Sequence, residues 1–421
     1  MKRFPYAFLC RALALALTLV PAAVFAQYTE SVLATFGSDF SDGALPTGSL
    51  AVDASGNFYG TLYSGGNNGS GSVFEASPTS SGYNVSILHT FASDGSDGAQ
   101  PAGGLIIDAA GNLYGTTFSG GDNFQGNIFE LSPSSGGWTF QTLYFFTGST
   151  DGAFPSGALV FDASGNLYGT TSGGGAFGDG TVFKLSHSSS GWTEQAIYSF
   201  TGGADGKYPY STLVMDAAGN LYGTANEGGS QSSTLCAYEG GCGTVFRLSR
   251  GSTWTFTTLL TFLGNRGANP SGGVIFDAAG NLYGTTTRGG SCTTSTHGCG
   301  VAFKLTPSGR GPWKQTVLHV FKGFADGYFP VTSLTMNAAG NLFGSCLFGT
   351  PLNDGTLWEL TPSGTTWIFT SLVKFNSSNG AYPESPYYID ASGNLFTATQ
   401  GGGPSQFGTL LELSPTATEK K

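Results

Sequence analysis

The sequence predicts an all-β chain: a seven-bladed ring of four-stranded blades, closed by an N-terminal strand that completes the last blade. Three observations carry this. Glycine is abundant while charge is scarce, one nine-residue block recurs seven times, and the outer-strand signature missing from the last copy stands at the opposite end of the chain.

Composition sets the class. The chain has 68 glycines in 421 residues and only 10% Asp, Glu, Lys or Arg, against about 7% Gly and roughly 25% charge in an average protein. Coiled coils and long helices need abundant Ala, Glu, Lys and Leu and are excluded. With 39% hydrophobic and 14% aromatic residues, the chain can fill a large core and is not disordered. The glycines follow no three-residue period, which excludes collagen.

The first 26 residues read as a signal peptide. Lys2, Arg3 and Arg11 supply positive charge, Ala12 to Val20 is apolar apart from Thr18, and Val24-Phe25-Ala26 offers a cleavage site before Gln27. That apolar run is shorter than the roughly 20 residues needed to span a bilayer. Loss of the leader leaves 13 basic against 26 acidic residues and moves the net charge from −10 to −13. An acidic surface repels phosphate backbones, so no nucleic-acid partner is expected. The expected product is a soluble, secreted monomer, extracellular or periplasmic, with no membrane insertion.

The repeated block is Asp-Ala-x-Gly-Asn-Leu-Tyr-Gly-Thr. It starts at Asp53, Asp108, Asp162, Asp216, Asp277, Asn337 and Asp390, at spacings of 55, 54, 54, 61, 60 and 53 residues. In the third copy, Ala158 to Asp162 is apolar and β-prone, and Ala163-Ser-Gly-Asn166 is a tight turn with Gly available for positive φ. Leu167 to Thr171 is a second strand, followed by a Gly-rich loop, a third strand from Thr181 to Leu185 and a fourth from Trp192 to Phe200. Four short strands in about 55 residues, repeated in tandem, describe a β-propeller blade. Residues 27–415 hold seven such units with no room for another domain, and 416–421 form a short tail.

Each fourth strand carries an aromatic residue eight positions before a Phe: Tyr83/Phe91, Trp138/Phe146, Trp192/Phe200, Trp254/Phe262, Trp313/Phe321 and Trp367/Phe375. An even spacing predicts that both rings share one strand face. The seventh pair is Tyr28/Phe36, so the N-terminal strand is expected to pair with Thr409 to Leu413 and remove a free edge.

The cysteines fall in the two long copies. Cys236 with Cys242, and Cys292 with Cys299, read as two local disulfides in an exported protein, with bridging between the loops and a metal site as alternatives. Cys346 reads as a buried thiol.

The recurrent block, with Val-Phe-x-Leu-Ser-Pro downstream, resembles the GloVer tandem repeat (choice-of-anchor) proteins exported by bacteria, over essentially the whole mature chain. It is more distantly similar to NHL-type propellers. The resemblance implies the propeller fold and carries no established catalytic residues.

The block's first Asp reads as a turn cap, since it recurs seven times and lacks the further carboxylates of a calcium loop. His89 and His319 stand where other copies have Tyr144 and Tyr198, so they read as packing residues. No P-loop, His-Glu-x-x-His or Gly-x-Ser-x-Gly motif is present, and no cofactor or metal is expected.

Candidate functional residues are those that vary where the scaffold repeats. The loops joining strands four to one, and two to three, open on one face around the axis. The first set places Leu45, Gln100, Phe154, Tyr208, Asn269, Phe329 and Tyr382 before a Pro. The second contains Asn67, Asp122, Asn123, Phe124, Phe177, Asp179, Glu227, Tyr238, Arg288, Asn353, Asp354 and Phe407. Aromatic platforms with Asn and Asp suit a polysaccharide or a cell-envelope protein. Two functions follow: a non-catalytic secreted binding or scaffold module, or a propeller hydrolase, lactonase or lyase with acids converging on the channel. Non-repeating acids and histidines lining the channel would favour the enzyme, and a smooth, symmetric channel the binding module.

Overall fold

A computed structural model describes residues 28–37, 43–66, 68–80, 82–292, 295–309, 313–349 and 352–416. The expected signal peptide (residues 1–26), Asp42, Asn67 and the end of the tail lie outside the described residues.

The chain forms seven antiparallel sheets, each built from consecutive strands except the last. Blade 2 is typical, with Ile106–Ile107, Leu113–Thr117, Asn127–Ser134 and Gly137–Phe145 in that order. The innermost strand pairs over only two residues in most blades. The segment before it, such as Ser156 to Ala158, serves the channel wall instead of the sheet. In blade 3 a short additional segment, Ala153–Pro155, also pairs with the second strand. Helix among the described residues is confined to Thr234–Tyr238, inside the blade 4 insertion.

Turn chemistry makes each inner hairpin. Asp53 Oδ1 accepts the backbone N–H groups of Ser55 and Asn57 at 2.8 and 2.9 Å, while Oδ2 accepts Asn57 Nδ2 at 2.8 Å and the Tyr59 hydroxyl at 3.1 Å. Burial alone would raise this carboxyl, but the donors hold it below its ordinary value. The same holds at Asp108, Asp162, Asp216 and Asp277. In blade 6, Asn337 Oδ1 caps the turn equally well, and the hydroxyl it could not anchor as an anion is absent because Phe343 replaces Tyr.

The parity expectation for the fourth strand is corrected. In all seven blades the register of strand four against strand three shifts by one residue, as at Val182/Phe183. Such a bulge inserts one unpaired residue, and one residue flips every later side chain to the other face. Trp192 therefore meets Tyr114 of blade 2, with centroids 6.5 Å apart, while Phe200 meets Phe246 of blade 4 at 5.2 Å. Each outer strand thus serves both of its neighbours, and the buried clusters all bridge adjacent blades.

Closure is as expected. Tyr28–Thr35 pairs antiparallel with Thr409–Pro415, from Tyr28 opposite Pro415 to Thr35 opposite Thr409. Both local disulfides form, Cys236–Cys242 and Cys292–Cys299, and Cys346 is a buried free thiol. They fit an oxidising compartment. Among the described residues no helix is long and apolar enough to cross a membrane.

His89 and His319 are accounted for by the same repeat logic. His89 Nε2 lies 2.9 Å from Asp97 and His319 Nε2 2.8 Å from Asp326, where Tyr144 and Tyr198 donate to Asp151 and Asp205 at 2.9 and 2.8 Å. The flat ring at this position stacks on a Phe of the next blade: His89 on Phe140, Tyr198 on Phe256 and His319 on Phe369. That Phe is present in blades 2, 4 and 6 only, and in blade 3 Glu194 occupies its position opposite Leu185. Its Oε1 is buried without a hydrogen-bond partner, and burial, reinforced by Asp151, raises its carboxyl to about 8. The folded value exceeds the unfolded one, so stability is lost as pH rises from 4.5 through about 8. Glu194→Phe is expected to raise the melting temperature, and more at pH 9 than at pH 5. Thermal unfolding at the two pH values checks this; an equal gain at both would remove ionisation as the cause.

Candidate functional site

The antiparallel order puts the strand two-to-three loops and the four-to-one connectors at one end of the ring, and hydrogen bonds lace them together. The seven residues before the connector prolines, Leu45, Gln100, Phe154, Tyr208, Asn269, Phe329 and Tyr382, all adopt left-handed backbone with φ between 55° and 61°. This conformation costs a non-glycine residue roughly 1–2 kcal/mol. The geometry aims each N–H at a carbonyl in the preceding blade's loop: Gln100 at Ser70, Phe154 at Gln125, Tyr208 at Asp179 and Tyr382 at Asp354, over 2.8–3.0 Å. Sevenfold repetition makes this a device of ring construction. The sequence holds no signal for it, since a residue before Pro ordinarily reads as extended.

The side chains on this frame fall into three groups. Asp122 and Asn123 are exposed at the tip of the blade 2 loop. Lys207 joins Glu227 at 2.9 Å and lies 4.7 Å from the Tyr208 ring, beside the Asp179 segment. Arg288 joins Glu239 at 3.0 Å and caps the Phe329 ring at 5.1 Å, while Tyr238 stacks on His297 and so ties the two disulfide loops together. Phe154 is partly buried against Phe118. Asp354 is buried and accepts from Ser377 Oγ at 2.6 Å, a structural role.

An aromatic arc crosses blades 6 and 7. Phe324 meets Tyr328, Tyr328 meets Phe329 and Phe348, and Phe348 meets Tyr382, with centroids 5.4–6.3 Å apart. Exposure is concentrated on the loop end as a whole. Nine large apolar side chains are exposed among the described residues, and eight lie on this end: Phe124, Phe177, Tyr210, Tyr238, Leu263, Phe324, Leu352 and Tyr382.

Inside the arc, the inner segments of all seven blades enclose an axial cavity of about 420 Å³. Its wall includes the residues that follow the connector prolines: Thr47, Ala102, Ser156, Tyr210, Ser271, Val331 and Glu384. Most are small, so the wall is near-symmetric with one chemical exception. Glu384 supplies the cavity's only ionised-class side chain among the described lining residues other than tyrosines, and Gln400 Nε2 donates to its Oε2 at 2.6 Å. Burial raises the Glu384 carboxyl to about 7. Sequence reasoning missed Glu384 and Tyr210 by stopping one position before the proline, and Gln400 because it stands just past the end of the second strand. Aligning the seven post-proline positions would have singled out Glu384 as the lone acid. Among the described residues no group of three or more His, Cys, Asp or Glu is placed to hold a metal ion.

Seven four-stranded blades around this cavity, with the varied side chains gathered at one end, define a β-propeller repeat protein. The chain belongs to the Gloeobacter/Verrucomicrobia repeat family, whose model matches residues 22–237 and 233–421. No curated protein matches it. Among solved structures it is similar to a "putative 6-phosphogluconolactonase" from Bacteroides uniformis, at 12% identity and a TM-score of 0.50, over 83% of this chain and 92% of that one. It is also similar to a "putative gluconolactonase", at 13% identity and a TM-score of 0.43, over 92% of each chain. A "putative oxidoreductase (glucose dehydrogenase)" from Thermus thermophilus follows at 14% identity and 0.43, over 92% of this chain and 99% of that one. At these identities the likeness concerns the fold alone.

Proposed function

We propose that this protein is a secreted binding module that holds a neutral polysaccharide on its loop end. The observation that carries the reading is the gathering of eight of nine exposed large apolar side chains on that end. Exposed apolar side chains concentrated on one end mark an interaction surface, and flat rings interleaved with amides and carboxylates suit sugar faces and hydroxyls. The aromatic arc gives several platforms at one rim, as an extended chain would need. The leader and the two disulfides support export. The test is isothermal titration of the exported chain with soluble neutral glucans and mannans. Tyr382→Ala and Phe324→Ala are each expected to weaken binding roughly 10-fold or more, in line with about 1–2 kcal/mol or more for a contact aromatic. Blank titrations across the panel would overturn the reading.

One observation favours the second reading, a propeller enzyme. Glu384 lies in the axial cavity with its carboxyl near 7, a value suited to proton transfer. Turnover of a sugar lactone or glycoside that is lost in Glu384→Gln would establish it.

A further inference from the structure

The axial cavity carries an electrostatic imbalance. Six blades place Thr47, Ala102, Ser156, Tyr210, Ser271 or Val331 at the post-proline position, and the seventh places Glu384. The matching position at the end of the second strand holds Gln400 in blade 7, and its amide steadies the carboxylate without neutralising it. No Lys, Arg or His is among the described lining residues, and the other titratable side chains there are Tyr63 and Tyr210. The rest of the wall is hydroxyls, backbone and small apolar groups. A partly buried carboxylate whose partner is a neutral amide is costly to ionise, and a cation placed beside it lowers that cost. At about 420 Å³ the cavity is large enough for a single sugar-sized molecule.

We propose that the axial cavity is a site for a small ligand bearing a primary ammonium group, received by Glu384 with Gln400 holding the carboxylate in place. The site shares only Tyr210 with the exposed side chains of the loop end, and neither Tyr382 nor Phe324 lines it, so it can be tested independently of the polysaccharide reading. Glu384→Ser copies what blades 3 and 5 carry at the same position, and the fold therefore accommodates the loss of the carboxylate.

Titration calorimetry of the exported chain with glucosamine and with N-acetylglucosamine tests this, because acetylation removes the positive charge and keeps the ring. Glucosamine is expected to bind at least tenfold more tightly, and both Glu384→Gln and Glu384→Ser are expected to erase the difference with little change in melting temperature. Tyr382→Ala is expected to leave glucosamine binding unchanged. Equal binding of the two sugars, a preference that survives both substitutions, or displacement of glucosamine by millimolar sodium or calcium would each overturn the proposal. Loss of glucan binding in the rim variants with the amine preference intact would separate the two sites.

Discussion

Deleting Tyr28 to Phe36 is expected to abolish cooperative folding of the ring. The strand satisfies the whole outer edge of Thr409–Pro415. It also supplies packing on both sides of the last blade: Tyr28 meets Phe343 of blade 6 at 6.3 Å, and Phe36, only 2% exposed, meets Phe74 of blade 1 at 4.8 Å. Truncating one buried aromatic typically costs about 3–5 kcal/mol. Losing two aromatics and a ladder of hydrogen bonds reaches the total stability of many domains, about 5–15 kcal/mol. The deletion also leaves an open edge prone to pairing between chains. Thermal unfolding and light scattering would show a lost or strongly lowered transition and aggregation. A melting temperature equal to that of the intact chain would show that the strand is not the closure.

Gly169→Ala is expected to destabilise the protein by about 1–3 kcal/mol, the usual cost of overpacking. A Cβ at this position would stand 2.5 Å from Phe183 Cζ, 2.9 Å from Cε1 and 3.1 Å from Leu159 Cδ2. Backbone strain is not the cause, since Gly169 has no positive φ. The last blade shows the remedy: Thr397 stands at the glycine position, and Leu411 replaces the opposing Phe. Gly169→Ala with Phe183→Leu is therefore expected to be less destabilised than the sum of the single changes, by about 1 kcal/mol. Denaturant midpoints of the four proteins check this. Strict additivity would mean that the ring over the glycine does not set the requirement.

Much of the architecture was legible because each blade repeats its own turn chemistry. Asp53, Gly56 and Asn57 specify a hairpin through contacts within six residues, as do their six counterparts. The Tyr28/Phe36 signature located the closing strand from spacing alone. The bulge was not legible: Ile197 is an ordinary β residue, and only pairing with strand three shows that it is skipped. The candidate site was legible in outline. Tyr382, Tyr238 and the Arg288 and Glu227 pairs do lie at the loop end, whereas Asp354 and Phe154 turn toward the scaffold.

The sequence by itself determined the number of blades, their strand order, the closing strand and the two insertions, because these follow from local turns and a repeat period. Only the tertiary structure decided which face each outer ring serves, that the residues before proline are left-handed ties between blades, and that Glu384 stands in the axial cavity. The physical reason is distance. A turn closes within a few residues, whereas the axis is made by seven segments about 55 residues apart in the chain. The excess glycine and scarce charge of the chain are explained at that same junction. There the blades approach through backbone and hydroxyl hydrogen bonds such as Thr170 to Ser211 and Thr224 to Gly272, and a single carboxylate becomes conspicuous.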